Sequence, residues 1–310
     1  MPAIVVEDLH KSYGAVEAVR GVDFEVQTGE VFALLGPNGA GKTSVLEVLE
    51  GFRRRTRGRV EVLGADPATG DRRLRERVGV VLQETAVEPY LTVREVLTRN
   101  AGYYPRPRPV AEVISLAGLG EKADARVKTL SGGQQRRLDV ALGIVGDPEL
   151  VFLDEPTTGF DPSARRGAWE LVRRLTGGGT TIVLTTHYMD EAQALADRVA
   201  VLANGRIVAV GTPDSIGGRN LAAVRVRFRL PAGVRRDELP MPAPGEDDRV
   251  EIRTEDELRV LHALTGWALD RGTKLEGLTV DRPSLEDVYL SLTGDVAGGD
   301  EVAVPAAAPA

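Results

Sequence analysis

The chain has 310 residues, 42% of them hydrophobic, no cysteine, three histidines and a formal net charge of -7. That is ample apolar material for a buried core, at a length that points to roughly two domains of about 150 residues each. The lack of cysteine excludes disulfides, thiolate zinc sites and cysteine nucleophiles, and the acidic balance argues against a broad nucleic-acid surface or simple adhesion to acidic lipid.

The opening residues, MPAIVVEDLHK, have no basic segment followed by an apolar one, and no run of 18 or more apolar residues follows anywhere. Neither a secretory signal nor a membrane span is expected, which places the chain in the cytoplasm. If it works at a membrane, a protein partner holds it there. Alternation at Val22, Phe24 and Val26 and the apolar run Val31 to Leu35 read as strands. A glycine-rich turn and a helix from near Ser44 come next. Further apolar runs at Val78 to Leu82, Leu150 to Leu153 and Thr181 to Leu184 alternate with helical patterns, which predicts an α/β fold with a largely parallel sheet covered by helices. From about Tyr90 to Val145 the pattern is helical, as for a subdomain inserted between two strands. Asn204-Gly205, set between two apolar runs, is a hairpin signal that closes the first domain near residue 215.

Beyond Gly217-Gly218, a linker signal, residues 216–294 predict a small α+β domain. Its strands are Val224 to Leu230, Val250 to Ile252 and one near Leu278. Its helices are Glu255 to Arg271 and Ser284 to Leu292. Residues 295–310 are Ala, Gly, Val and Pro in no period and are expected to be a disordered tail.

The strongest chemical signal is Gly36, Pro37, Asn38, Gly39, Ala40, Gly41, Lys42 and Thr43, leading into a helix at Ser44. Glycines let such a loop wrap closely, so that backbone N–H groups face phosphates while the helix N-terminus adds its dipole. Lys42 is placed to hold β- and γ-phosphates, and Thr43 to ligate Mg²⁺. A second signal is the apolar strand ending in Asp154-Glu155. Asp154 is held rigidly for Mg²⁺, and Glu155 is left to act on the γ-phosphate side as general base. A third is Leu130-Ser131-Gly132-Gly133-Gln134 before a basic helix with Arg136 and Arg137, a second anion-binding turn.

Two phosphate turns in one chain resemble the nucleotide-binding subunit of ABC transporters, over about Ile4 to Thr212 with the motifs in the expected order. The resemblance implies a P-loop ATPase with ATP and Mg²⁺ as cofactors. It also implies a head-to-tail dimer with a second copy or a paralogue, in which Ser131, Gly132, Gly133 and Gln134 of one subunit cap the ATP held by the P-loop of the other. Tyr13, in Lys-Ser-Tyr-Gly, matches the aromatic that stacks on adenine. Stacking is worth about 1–3 kcal/mol, so Tyr13→Ala is expected to weaken rather than abolish binding. Gln83 matches the glutamine that senses Mg²⁺ and connects to the membrane partner. Asp161 matches the loop that crosses the dimer, and His187 the switch histidine on the γ-phosphate. With Lys42 and Glu155, Gln83 and His187 complete the implied catalytic set.

The segment Arg282 to Gly294 looks like the ending of the drug-resistance branch of bacterial ABC exporters, which pair with ABC-2 type permeases, and Leu91 to Leu97 is similar to that branch. The implied work is export of a hydrophobic compound through a separate permease. The catalytic residues themselves do not separate an exporter from an importer ATPase, and a regulatory ATP-binding module is a third reading. Too few residues separate Lys42 from Ser131 for the long coiled coil of chromosome-organising relatives.

Overall fold

The computed structural model describes residues 1–81, 87–160, 162–218, 223–244 and 247–294. The chain divides into two compact units, Met1–Pro213 and Asp214–Ala310.

The first unit starts as an antiparallel sheet. Strand β1 (Pro2–Tyr13) pairs with β2 (Val16–Gln27), and Ile4, Val6 and Leu9 turn inward with Val22, Phe24 and Val26. The five residues of β3 (Val31–Leu35) are all buried, as suits a strand covered on both faces. Helix α1 (Lys42–Leu49) follows the glycine turn and starts at Lys42, slightly before Ser44. Its apolar face enters a core shared by the two sheets, where the Phe24 and Phe32 rings stack 5.2 Å apart.

Strand β4 (Arg57–Val62) is the other neighbour of β1. The sequence reading did not anticipate it, because Arg57-Gly-Arg-Val-Glu-Val carries only two apolar residues. Those two, Val60 and Val62, are the ones buried. A short helix, α2 (Arg72–Arg77), capped by the Asp71 carboxylate, leads into β5 (Val78–Val81). Leu82, the expected end of that strand, lies outside the described residues.

The inserted segment is helical as expected. It comprises α3 (Val93–Ala101), α4 (Val110–Leu116) and α5 (Gly132–Ile144). Reciprocal capping boxes, Thr92 with Glu95 and Ser131 with Gln134, begin α3 and α5 and satisfy N–H groups that a helix leaves unpaired at its start. Strand β6 (Leu150–Asp154), helix α6 (Pro162–Gly177), strand β7 (Thr181–Thr186), helix α7 (Met189–Leu195) and strands β8 (Arg198–Ala203) and β9 (Arg206–Gly211) complete the unit. The large sheet has the order β5-β6-β7-β3-β8-β9, parallel except for β9.

The second unit is a three-stranded antiparallel sheet, β11-β10-β12 in spatial order. It is formed by β10 (Val224–Arg229), β11 (Arg249–Thr254) and β12 (Glu276–Asp281). Val226, Phe228, Val250 and Ile252 face Leu264 of helix α8 (Glu257–Asp270) in its core. Helix α9 (Leu285–Gly294) ends the described chain. The expected tail, 295–310, lies outside the described residues.

Candidate functional site

Strands β6, β7 and β3 are neighbours and parallel, so the segments leaving their carboxyl ends converge on one edge of the sheet, where open α/β sheets bind ligands. Leaving β3, Gly36 donates its N–H to Thr186 O at the end of β7, 3.3 Å away. On the other side, Gly205 N donates to Ala40 O at 3.1 Å. That contact comes from the β8-β9 turn, where Asn204 and Gly205 both have positive φ, 48° and 74°, the conformation a two-residue hairpin demands. The hairpin therefore braces the glycine loop. Gly41 has φ 101°, and a Cβ there would lie 2.5 Å from Ala18 O, so no larger residue fits without pushing the loop off β2.

Lys42 opens α1 and is 5% exposed. Its Nζ donates to Gly36 O at 2.8 Å and Pro37 O at 3.0 Å, curling back over the loop, and lies 3.5 Å from Glu155 Oε1. Burial holds this ammonium below its usual range, against the opposing pull of Glu155 and Asp154. Pro37, Asn38 and Gly39 are exposed, as is Thr43. Thr43 Oγ1 is 3.5 Å from Asp154 Oδ2.

The turn after β6 departs from ordinary backbone. Glu155 has φ 43°, a left-handed conformation that costs a non-glycine residue about 1–2 kcal/mol. Its neighbours hold it there. The Thr185 hydroxyl accepts the Glu155 N–H at 2.9 Å and donates to Asp154 Oδ1. The buried Arg136 guanidinium donates to Asp154 O at 3.1 Å and Pro156 O at 3.3 Å, bridging both sides of the turn. The Glu155 carboxylate is thereby aimed at three groups. Oε2 accepts from Thr158 Oγ1 at 3.0 Å, and Oε1 lies 3.3 Å from His187 Nδ1 as well as 3.5 Å from Lys42 Nζ. Burial pushes this carboxyl up, but the Thr158 and His187 contacts and the Lys42 charge outweigh it and hold it below the usual range. On α7, the fully buried Glu191 receives hydrogen bonds from Thr157 and Trp169.

Lys42, Thr43, Asp154, Glu155 and His187, drawn from three separate segments, thus form one contiguous cluster. Tyr13 is at the end of β1 and 40% exposed, with the Lys11 ammonium 4.6 Å over one face of its ring and its hydroxyl 3.3 Å from Glu47 Oε2. Ser131 and Gly132 are exposed at the start of α5, and Gly133 and Gln134 are partly so. No hydrogen bond or ion pair joins these four residues to the cluster among the described residues. Gln83 and Asp161 lie outside the described residues. The sequence reading had no place for Thr185 or for the support that Arg136 gives. A threonine at a strand end and an arginine one helical turn after Gly132 are too common to single out, and their partners are remote in sequence.

A triphosphate needs the close backbone approach that Gly41 permits and a lysine anchored at the loop mouth. Mg²⁺ takes hard oxygen donors and usually arrives with substrate phosphates. Thr43 Oγ1 and Asp154 Oδ2 supply such donors side by side, and among the described residues no cluster of three acidic, histidine or cysteine ligands offers a self-sufficient alternative.

This edge defines the class of P-loop nucleotide hydrolases. Residues 19–158 match the family model of ABC transporters, and residues 224–284 match that of the C-terminal domain of ABC transporter domain-containing proteins. The chain belongs to the ABC transporter family, as an ATP-binding subunit that hydrolyses ATP. It is 38% identical to a daunorubicin resistance ATP-binding protein of Streptomyces coeruleorubidus, covering 94% of this chain and 95% of that protein. It is 40% identical to the Nod factor export ATP-binding protein I of Rhizobium sp. (strain N33), covering 94% and 97%. A solved ATP-binding subunit of an ABC transporter superposes with a TM-score of 0.62 at 28% identity, over 69% of this chain and 91% of that one. An ATP-binding cassette solved as a dimer with ADP and Pi shares the fold, with a TM-score of 0.60 at 24% identity, over 67% and 98%.

Proposed function

We propose that the chain is the motor of an exporter for a hydrophobic compound, acting on a separate ABC-2 type permease at the inner face of the cell membrane. The relatives named for daunorubicin resistance and for Nod factor export both support an exporting role. No helix among the described residues is long and apolar enough to cross a membrane, which is consistent with a translocation path in another polypeptide.

In this reading the loop from Gly36 to Ser44 wraps the ATP phosphates, Lys42 binds the β- and γ-phosphates, and Tyr13 stacks on adenine. Glu155 takes the proton of the attacking water, while His187 and Gln83 contact the terminal phosphate and its surroundings. Mg²⁺, held by Thr43, Asp154 and Gln83, neutralises developing phosphate charge when bound. Ser131 to Gln134 and Asp161 of a second copy or paralogue close the site from across the dimer.

The observation that carries the hydrolytic part is the Glu155 carboxylate. It is kept ionised by Thr158, His187 and Lys42 and fixed by an enforced turn, so a base is already aimed at the mouth of the phosphate loop. The test is ATPase activity of the chain reconstituted with its permease and challenged with candidate compounds. Stimulation by hydrophobic cargo together with co-purification of a six-span permease supports export. A periplasmic or lipid-anchored binding protein in the complex would favour an importer instead.

A further inference from the structure

Tyr13 ends β1, and the turn Gly14-Ala15 separates it from β2. A side chain beside a surface turn moves with that turn unless something outside holds it. Here the hold is extensive. The Tyr13 hydroxyl donates to Glu47 Oε2, and the Lys11 ammonium over one ring face donates to Arg54 O at 2.9 Å. Ser12 N donates to Thr56 Oγ1 at 2.9 Å, and Thr56 N to His10 O at 2.8 Å. The end of β1 is thus stitched to the segment that enters β4.

Glu47 differs from the other contacts because it belongs to α1, the helix that Lys42 opens. A rise of 1.5 Å per residue places Glu47 about 7.5 Å along the axis from Lys42. One rigid element therefore carries both the phosphate-binding lysine and the anchor of the Tyr13 ring. Glu47 is itself half-buried and steadied by Arg53, whose Nε lies 3.5 Å from the same Oε2. A ring set in place before the nucleotide arrives stacks without the cost of being ordered on binding.

We propose that Glu47 is a positioning residue for the nucleotide base. Acting through the Tyr13 hydroxyl, it fixes the ring at a set distance from Lys42, while Lys11 covers one ring face and leaves the other to the base. This rests on the reading of Tyr13 as the residue that stacks on adenine and goes beyond it: the hydroxyl, and not the ring alone, carries part of the affinity for ATP.

The test measures equilibrium binding of ATP and of inorganic tripolyphosphate, each with Mg²⁺, to the full chain. Tripolyphosphate has the phosphates without the base, so a change of charge at position 47 acts on both ligands and cancels in the ratio of their affinities. Tyr13→Phe keeps the ring and removes only the hydroxyl. That variant and Glu47→Ala should each lower the preference for ATP over tripolyphosphate by at least about threefold, and the two changes combined should lower it no further. Glu47→Gln should keep most of the preference, because its amide oxygen still accepts from the hydroxyl. Tyr13→Ala should lose the stack itself, about 5- to 150-fold.

A wild-type preference in Tyr13→Phe, or losses that add in the double variant, would overturn the positioning role. If Tyr13→Ala loses the preference while Tyr13→Phe and Glu47→Ala retain it, Glu47 has no such role and the stacking reading stands. If Tyr13→Ala retains it as well, both fall. Tripolyphosphate binding reports an intact phosphate loop in each variant, which separates every one of these results from misfolding.

Discussion

Glu155 Oε1 lies 3.5 Å from Lys42 Nζ, so the candidate base and the candidate phosphate-binding ammonium are ion-paired across the mouth of the loop. The pair links two segments that the sequence separates by more than a hundred residues. Phosphates arriving at Lys42 compete with Glu155 for its charge, which frees the carboxylate for water.

Glu155→Gln keeps the shape of the side chain and removes its basicity. Turnover is expected to fall by about 10²–10⁴ while ATP affinity is kept or rises. Steady-state hydrolysis paired with equilibrium nucleotide binding checks both halves. Near-normal turnover would remove Glu155 from its role.

The acid limb of the rate profile should report the same carboxyl. Its folded-state value lies below the ordinary one, so activity should persist until the pH falls below the usual glutamate range near 4.3. Thr158→Val deletes the hydroxyl that donates to Oε2 at 3.0 Å. The Glu155 carboxyl then rises and the acid limb of kcat moves to higher pH, with little change near pH 8. The same depressed carboxyl stabilises the fold above its unfolded value, and this contribution is lost as pH falls through the folded one.

Thr185 joins the backbone of Glu155 to the side chain of Asp154 with one hydroxyl. Thr185→Val leaves the part-buried Glu155 N–H without its acceptor at a residue of left-handed φ. A stability loss of about 1–3 kcal/mol is expected, together with a fall in kcat larger than any change in ATP affinity. Thermal melts and kinetics on one preparation separate the two effects. Unchanged kcat would mean the turn does not depend on this hydroxyl.

How far the sequence reached follows from the range of the forces involved. The phosphate loop, the Asn204-Gly205 hairpin and the helical insertion were legible because each is written in nearby residues: glycines where φ must be positive, apolar runs of strand length, and a helical apolar pattern between two strands. Strand β4 was not, since its pairing with β1 rather than its own composition makes it a strand. The left-handed Glu155 was equally hidden, because Thr185, thirty residues on, and Arg136, in helix α5, hold the turn from a distance in sequence. Of the expected site residues, Lys42, Thr43, Asp154 and Glu155, read from local chemistry, and His187, drawn from the family resemblance, come together in space, whereas Ser131 stands at its own helix end.

Glu50 gives a stability signature of its own. Its carboxyl is raised by burial and the charges of Asp154 and Glu47 to about 8 in the folded chain against about 4.3 when unfolded, so the native state holds the extra proton between those values. Stability is fully present below the unfolded value and falls as pH rises through the window, by up to about 1.4 kcal/mol per pH unit. Glu50→Gln should flatten that slope, melting several degrees higher than the wild type at pH 8 and close to it at pH 4.5. Parallel melting curves for the two proteins across this range would contradict a buried, protonated Glu50.

The most direct measurement of the central claim is a structure of the Glu155→Gln variant with MgATP. The account predicts two copies related head to tail, with the triphosphate wrapped by Gly36 to Thr43 and held by Lys42 of one copy, and the Ser131 hydroxyl of the other on its γ-phosphate. A nucleotide seated at Lys42 with Ser131 of every copy facing solvent would contradict it.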